Sequence, residues 1–424
     1  MRYLFIIIFA AFPSPLHAQS AEDNDIIRKE LAKLKAQQAA TAARITRLET
    51  KLDAMDHTTL SNLKAVVPFA PSTPQVITTL AQTSITGQPE LSGDLRLRYE
   101  SNFSDSDGRN RDRVVLRARL RGTYEIFGAL SVGAQFTTGD PDDPNSSDVT
   151  LSNFNDDLAV SLDQIWLRAK IGKSQLTGGK VPLPFKRTDM VWDGDVHPEG
   201  LSATYGSHIT RAVSVRAAGL YFFIDENIGG ADSRMIGGQL GITAKIDPML
   251  SVDASAGYYD YRLKSVLGGD VGDFRSNRFA NGRYLSDFDL VDLIGSATWA
   301  GLGTRWPVSL TANYVNNVGA TTSANDGISL NLAAGRLSQR GDWRIGYGFA
   351  QTGVDAVFAA FSEDNTALGS NYIQHNLSID YVLRPHLTVN GTFYRYRLKS
   401  AFDAVANDPT EWLNRLRINL LADF

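Results

Sequence analysis

From Leu91 to the end of the chain, apolar residues recur at every second position. In Leu130-Ser131-Val132-Gly133-Ala134-Gln135-Phe136 one face is apolar and the other small or polar. Ile236, Leu240, Ile242, Ala244 and Ile246 share a face opposite Gln239, Thr243 and Lys245. The same alternation runs through Val308, Leu310, Ala312 and Tyr314, and again through Trp343, Ile345, Tyr347 and Phe349. A period of two is that of a strand, whose successive side chains point to opposite faces. The pattern predicts sixteen strands, starting near residues 92, 113, 130, 159, 175, 200, 212, 234, 250, 287, 308, 327, 342, 370, 387 and 412. Each is long enough for the roughly 9–11 residues that a tilted strand needs to cross a bilayer.

The connections alternate in length. Phe127-Gly128-Ala129, Gly172-Lys173-Ser174, Asp247-Pro248-Met249 and Arg384-Pro385-His386 are short, whereas 101–112, 140–158, 182–199, 262–286, 352–369 and 399–411 are long and polar. Short turns at one end and long loops at the other characterise an outer-membrane barrel. A secreted sandwich or solenoid would alternate too, but without this rhythm. The expected fold class is therefore all-β: a 16-stranded antiparallel transmembrane β-barrel over residues 91–424. An even strand count puts both barrel ends on the short-turn, periplasmic side. In the last strand Leu416, Ile418, Leu420, Ala422 and Phe424 share one face. A chain-terminal aromatic on such a strand resembles the assembly signal of bacterial outer-membrane barrels.

Three segments precede the barrel. Residues 1–18 read as a secretory signal peptide: Arg2, an apolar core from Tyr3 to Phe12, Pro13 and Pro15, then the small Ala18. Residues 19–56 predict an α-helical coiled coil in the periplasm. Its a/d seam runs through Ile27, Leu31, Leu34, Gln38, Thr41, Ile45, Leu48, Leu52 and Met55. A lone amphipathic helix packed on its own domain would show the same spacing. Residues 57–90, with Pro68, Pro71, Pro74 and Pro89, read as an extended tether.

Composition narrows the function. The 42 Lys+Arg and 46 Asp+Glu give a formal charge of −4, which argues against a nucleic-acid partner. The absence of Cys excludes disulfides, thiolate chemistry and Cys-ligated metals. No apolar run reaches the roughly 18 residues of a membrane-spanning helix. His17, His57, His197, His208, His375 and His386 form no HExxH and no paired metal spacing, so neither an enzyme nor a cofactor is expected. His375 is the one histidine inside a strand, and its parity sides with Ile373, Leu377 and Ile379. The clusters Asp105-Ser106-Asp107 and Asp142-Asp143 read as solvated turns.

Several stretches carry a family resemblance. They are Gly93-Asp94-Leu95-Arg96-Leu97-Arg98-Tyr99-Glu100, Arg111-Asp112-Arg113 and Arg117-Ala118-Arg119-Leu120-Arg121. Gly178-Gly179-Lys180-Val181-Pro182-Leu183-Pro184-Phe185 follows, with Asp189-Met190-Val191-Trp192-Asp193-Gly194-Asp195 and Pro198-Glu199-Gly200. Together they resemble the "Putative porin" family of Gram-negative outer membranes, over residues 91–424. Members usually carry Arg where Lys180 stands and Asn where Leu183 stands. The resemblance implies a passive diffusion channel.

Strand parity assigns the channel lining. With Leu95, Leu97, Leu116, Ala118, Leu120, Leu416 and Ile418 outward, Arg96, Arg98, Arg117, Arg119, Arg121, Arg415 and Arg417 point into the lumen. An unpaired Arg facing lipid near the midplane would cost about 2–4 kcal/mol. Closure makes the last strand a neighbour of the first, so these arginines form one basic wall. Pairing with Asp94, Asp253, Asp292 or Asp380 would make the arginines braces of the wall. Loop 182–199, the third long connection, resembles in position the inward-folding constriction loop of general porins. Its Asp189, Asp193, Asp195 and Glu199 would then face the wall and set a transverse field. The expected protein is an outer-membrane porin passing ions and small polar solutes. An anion-preferring selective channel and a barrel-anchored tether or adhesin are the alternatives. Expected partners are outer-membrane lipid, two further copies in a homotrimer, and the cell wall through the N-terminal helix.

Overall fold

The computed structural model describes residues 89–104, 110–151, 157–269, 275–401 and 411–424. The expected signal peptide, coiled coil and all but the end of the tether lie outside the described residues, as do Asp105 and Asp107. Sixteen long strands follow in order. They are β1 Glu90–Ser104, β2 Arg111–Phe127, β3 Leu130–Thr138, β4 Val160–Ile171, β5 Ser174–Lys180, β6 Glu199–His208, β7 Val213–Asp225 and β8 Ser233–Lys245. The second half comprises β9 Leu250–Arg262, β10 Phe288–Trp299, β11 Val308–Asn317, β12 Asp326–Gly335, β13 Trp343–Thr352, β14 Tyr372–Arg384, β15 Leu387–Leu398 and β16 Leu413–Asp423. Each pairs antiparallel with its sequence neighbours, and β1 pairs with β16 from Asp94↔Asp423 to Ser104↔Leu413. The sheet is closed, so no edge strand is left to aggregate or to lose hydrogen bonds in lipid. Phe424 completes the seam: its N–H donates to the Gly93 carbonyl and Gly93 N–H donates to the Phe424 carbonyl, both at 3.1 Å.

The exterior is apolar as parity predicts, with Leu95, Leu97, Leu167, Leu240, Leu310 and Leu377 all exposed. Many exposed aromatics fall near the two strand ends. Phe103, Phe136, Phe223 and Tyr258 lie toward the long loops, and Phe127, Trp299, Trp343 and Phe424 toward the short turns. Such paired girdles mark the two membrane interfaces.

The interior departs from the expectation of wholly polar long loops. The apolar core lies inside the barrel. Phe222 of β7, Met235 of β8, Tyr259 and Tyr261 of β9, Phe288 and Leu290 of β10 and Val315 of β11 point inward and are buried. They are covered by the third loop (181–198) and the seventh (353–371), whose Phe185, Met190, Trp192, Val357, Phe358 and Phe361 join the same cluster. Apolar strand faces cannot be left in a water-filled lumen without cost, so these loops fold in over them.

Candidate functional site

Strands β16, β1 and β2 lie side by side and bring the seven predicted arginines together. Register sets Arg417 opposite Glu100, Arg98 opposite Asn419, Arg96 opposite Arg117 and Asp94 opposite Arg119. Glu100 is 0% exposed and lies 2.7 Å from both Arg113 and Arg417, with Arg415 at 3.7 Å. Asp94 takes Arg119 at 2.9 Å, Arg117 at 3.1 Å and Arg121 at 3.4 Å. Arg121 also donates to Gln135, which in turn donates to Asp163. Two loops supply the remaining anions. Asp148 of the second loop pairs with Arg96 and lies 2.7 Å from Arg98. Asp195 of the third loop lies 2.8 Å from Arg119 and 3.8 Å from Arg117. Burial works against the Asp148 carboxylate, but Arg98 and Arg96 outweigh it and hold the group below the usual range. Eight guanidiniums thus meet four carboxylates in direct ion pairs, and the Asp364 carboxylate of the seventh loop adds its field at Arg98 and Arg417, which leaves arginines in excess on one wall.

The third loop is launched where β5 ends after seven residues. Gly179 adopts φ +119°, and a Cβ there would come within 2.3 Å of the Ile165 carbonyl oxygen. Pro182 and Pro184 then lack the N–H groups that a further ladder would need. Val181 N–H to the Pro198 carbonyl, 2.8 Å, ties the loop's base. Inside the barrel Trp192 packs edge-on against Tyr259, with centroids 5.4 Å apart, and parallel to Phe361 at 6.0 Å. Lys186 reaches across to Asp253 and Ser296, and its N–H donates to Gln239 at 2.8 Å. Thr188 bonds to Asn313.

The seventh loop begins at Gly353, where a Cβ would come within 2.2 Å of the Ala324 carbonyl oxygen. Asn277 receives Ala359 N–H at 2.7 Å and donates to the carbonyls of Val354 and Val357, holding the turn at Ala359–Phe361. The loop then crosses to the basic wall. Asn365 accepts from Arg417 at 3.1 Å and, through its carbonyl, from Arg415 at 2.9 Å. Phe361 accepts Asp193 N–H at 2.8 Å, and Asn365 donates to Asp189 at 3.3 Å, so the two inward loops are joined.

The four predicted loop acids divide. Asp195 sits between Arg117 and Arg119 on the wall. Asp193 is buried, and its carboxylate accepts the Asp195 N–H at 2.8 Å. Burial, reinforced by Asp364 and Asp189, pushes its carboxyl well up. Asp189 is exposed and paired to Arg187 at 2.6 Å. Glu199 opens β6 and pairs with Lys180 at 2.9 Å, both exposed, without contact to the arginines among the described residues. Of the alternative braces, Asp94, Asp253 and Asp380 do bind Arg or Lys, whereas Asp292 bonds Tyr259 and Asn313 instead. Glu100, Asp148, Glu363 and Asn365 were not singled out by sequence. Glu100 alone carried a signal, since it shares the inward parity of Arg96 and Arg98.

A polar cavity of about 320 Å³ lies between the two loops and the far wall, lined by Asp189, Glu363, Asn365, Gln374, Asn376 and Tyr394 among others. Burial pushes the Glu363 carboxyl up to about 7, with Asp189 adding to the effect. Basic wall, inward loops and acidic cavity lie within one lumen.

Comparison with known proteins agrees with this architecture. Residues 106–269 match the model of a family described as "Putative porin". No curated protein matches the chain. Among solved structures, Pseudomonas putida OprB at high pH superposes with TM-score 0.53 at 14% identity, over 79% of this chain and 94% of that one. An anion-selective porin from Comamonas acidovorans gives TM-score 0.50 at 14% identity, over 80% of this chain and 100% of that one.

Proposed function

We propose that this protein is an outer-membrane porin that lets ions and small polar solutes diffuse passively through its barrel, with a preference for anions. The observation that carries the reading is a closed sixteen-strand barrel, apolar outside, whose lumen holds a wall on which arginines outnumber the carboxylates paired with them. A sheet of this size encloses an aqueous passage unless loops fill it, and here two loops fill one side. Solutes would pass along the basic wall, where Arg121 is the most open member with 40% of its side chain exposed. Asp195 and Asp148 pin the loops to that wall, and the arginine excess sets the sign of the field. The same ion pairs brace the barrel; the two roles coexist. In this reading the chain trimerises in the outer membrane, and its N-terminal segment lies in the periplasm. The similarity to a porin named for anion selectivity is in keeping with the wall's sign.

Single-channel recording in planar bilayers tests the proposal. Stepwise conductance with a reversal potential of anion-selective sign in asymmetric salt is expected. A correctly folded protein that never conducts would return the barrel to the role of an anchor.

A further inference from the structure

The lumenal arginines of β16, β1 and β2 all have carboxylate or amide partners, but a second basic cluster lies on the opposite face of the same wall. Arg395 of β15 stands opposite His375 of β14 and Asn414 of β16. The row just below it is Leu377, Phe393 and Leu416, of which Leu377 and Phe393 are exposed on the lipid face. Arg397 shares this face two residues further toward the long-loop end. Trp412 lies under both guanidiniums, which sit 5.2 Å and 5.1 Å from its ring centroid. His375 flanks the same ring at 6.0 Å and bonds Tyr347 through Nδ1 at 2.9 Å. Arg395 donates to Asn414 at 3.3 Å and Arg397 to the Leu398 carbonyl at 3.0 Å. Among the described residues no carboxylate pairs with either.

An outward Arg is costly at the membrane midplane and cheap at the interface, and these two are at the outer interface. They are held side by side on an aromatic platform, with no carboxylate partner among the described residues. A guanidinium fork fits a phosphate in two parallel hydrogen bonds. Basic pockets at headgroup level are where membrane proteins take anionic lipids. We infer that Arg395 and Arg397, with Trp412, His375 and Asn414, form a binding site for the phosphate of an anionic lipid in the outer leaflet. The inference rests on the barrel's place in the membrane, and it is independent of whether the lumen conducts.

The full-length protein in neutral detergent, titrated with bisphosphorylated lipid A and followed by native mass spectrometry, provides the test. The wild type should retain lipid A at about a tenfold lower concentration than phosphatase-treated lipid A. Combined Arg395→Gln and Arg397→Gln should abolish that difference, with heat-modified gel mobility unchanged. Equal retention of the two lipids by the wild type would overturn the site, a result that needs no variant to fold. So would undiminished lipid A binding by the folded double variant. Displacement of lipid A by equimolar inorganic phosphate would also overturn it, by making the site one for free anions. Loss of conductance with lipid binding intact would bear on the channel alone.

Discussion

Glu100 offers the sharpest test of the ion network. Its carboxylate is fully buried, with Arg113 and Arg417 each at 2.7 Å and Arg415 at 3.7 Å. Replacing it by Gln keeps the shape and one acceptor but removes the only carboxylate that, among the described residues, pairs with Arg113, Arg415 and Arg417. Each lost contact is worth about 4 kcal/mol at an effective dielectric near 20, and the guanidiniums then repel one another. Against this stands the recovered cost of burying the carboxylate. Removing one partner from a buried ionic cluster typically costs about 3–5 kcal/mol net. Glu100→Gln should therefore lower barrel stability by that amount, read as the shift in urea-unfolding midpoint of the detergent-folded protein. Lys180→Gln serves as the control. It breaks a pair exposed on both sides and should cost below about 1 kcal/mol. Adding Arg417→Gln to Glu100→Gln should recover part of the loss, because the two positions share one cluster. A Glu100→Gln protein as stable as Lys180→Gln would refute the claim that buried pairing holds β16, β1 and β2 together.

Four further outcomes are expected. Arg117→Gln with Arg119→Gln should move the reversal potential toward cations, and the shift should fade above about 0.1 M salt, where screening shortens the field to about 10 Å; an unchanged potential at intact conductance would leave the wall purely structural. Trp192→Ala, at the buried junction of the third and seventh loops, should cost about 3–5 kcal/mol or free the loops and raise single-channel conductance, measured on the same preparation. Glu363 has a folded pKa of about 7, above its ordinary 4.5, so its neutral form holds the seventh loop. That contribution is complete below about pH 4.5 and is lost as pH rises through 7, so protease cleavage in 353–371 should speed up from pH 5 to 8, and Glu363→Gln should flatten the profile. Deleting residues 21–56 should abolish trimers on mild-detergent gels while the barrel still folds, if an N-terminal bundle drives assembly; trimers of unchanged heat stability would assign the segment to tethering.

The barrel was legible because one physical rule governs its whole exterior. A charge on the lipid face is costly, so Leu95, Leu97, Leu116 and Leu120 alternate with Arg96, Arg98, Arg117 and Arg119, and the parity alone places the arginines inside. The starting points of all sixteen strands follow from the same alternation. Parity states which way a side chain points, and is silent about what meets it. The partners Asp148, Asp195 and Asn365 come from loops 50 or more residues away from the arginines they bind, and no periodicity connects them.

The interior apolar core was hidden for a related reason, yet it left a trace. Residues 182–199 and 352–369 read as polar when their charged and hydroxyl residues are counted, and a loop has no repeat to set Phe185, Trp192, Phe358 and Phe361 apart. The trace lies in the strands instead. Leu220-Tyr221-Phe222-Phe223-Ile224 is apolar on both faces, and in β10 Phe288 and Leu290 are buried inward while Leu293 faces out. A strand with lipid on one side and water on the other has no use for a second apolar face. Such a run in a barrel therefore demands an apolar occupant of the lumen. The connections carrying Val181–Trp192 and Val354–Phe361 supply its buried members, and Leu263 and Tyr284 of the long connection 262–286 pack against them.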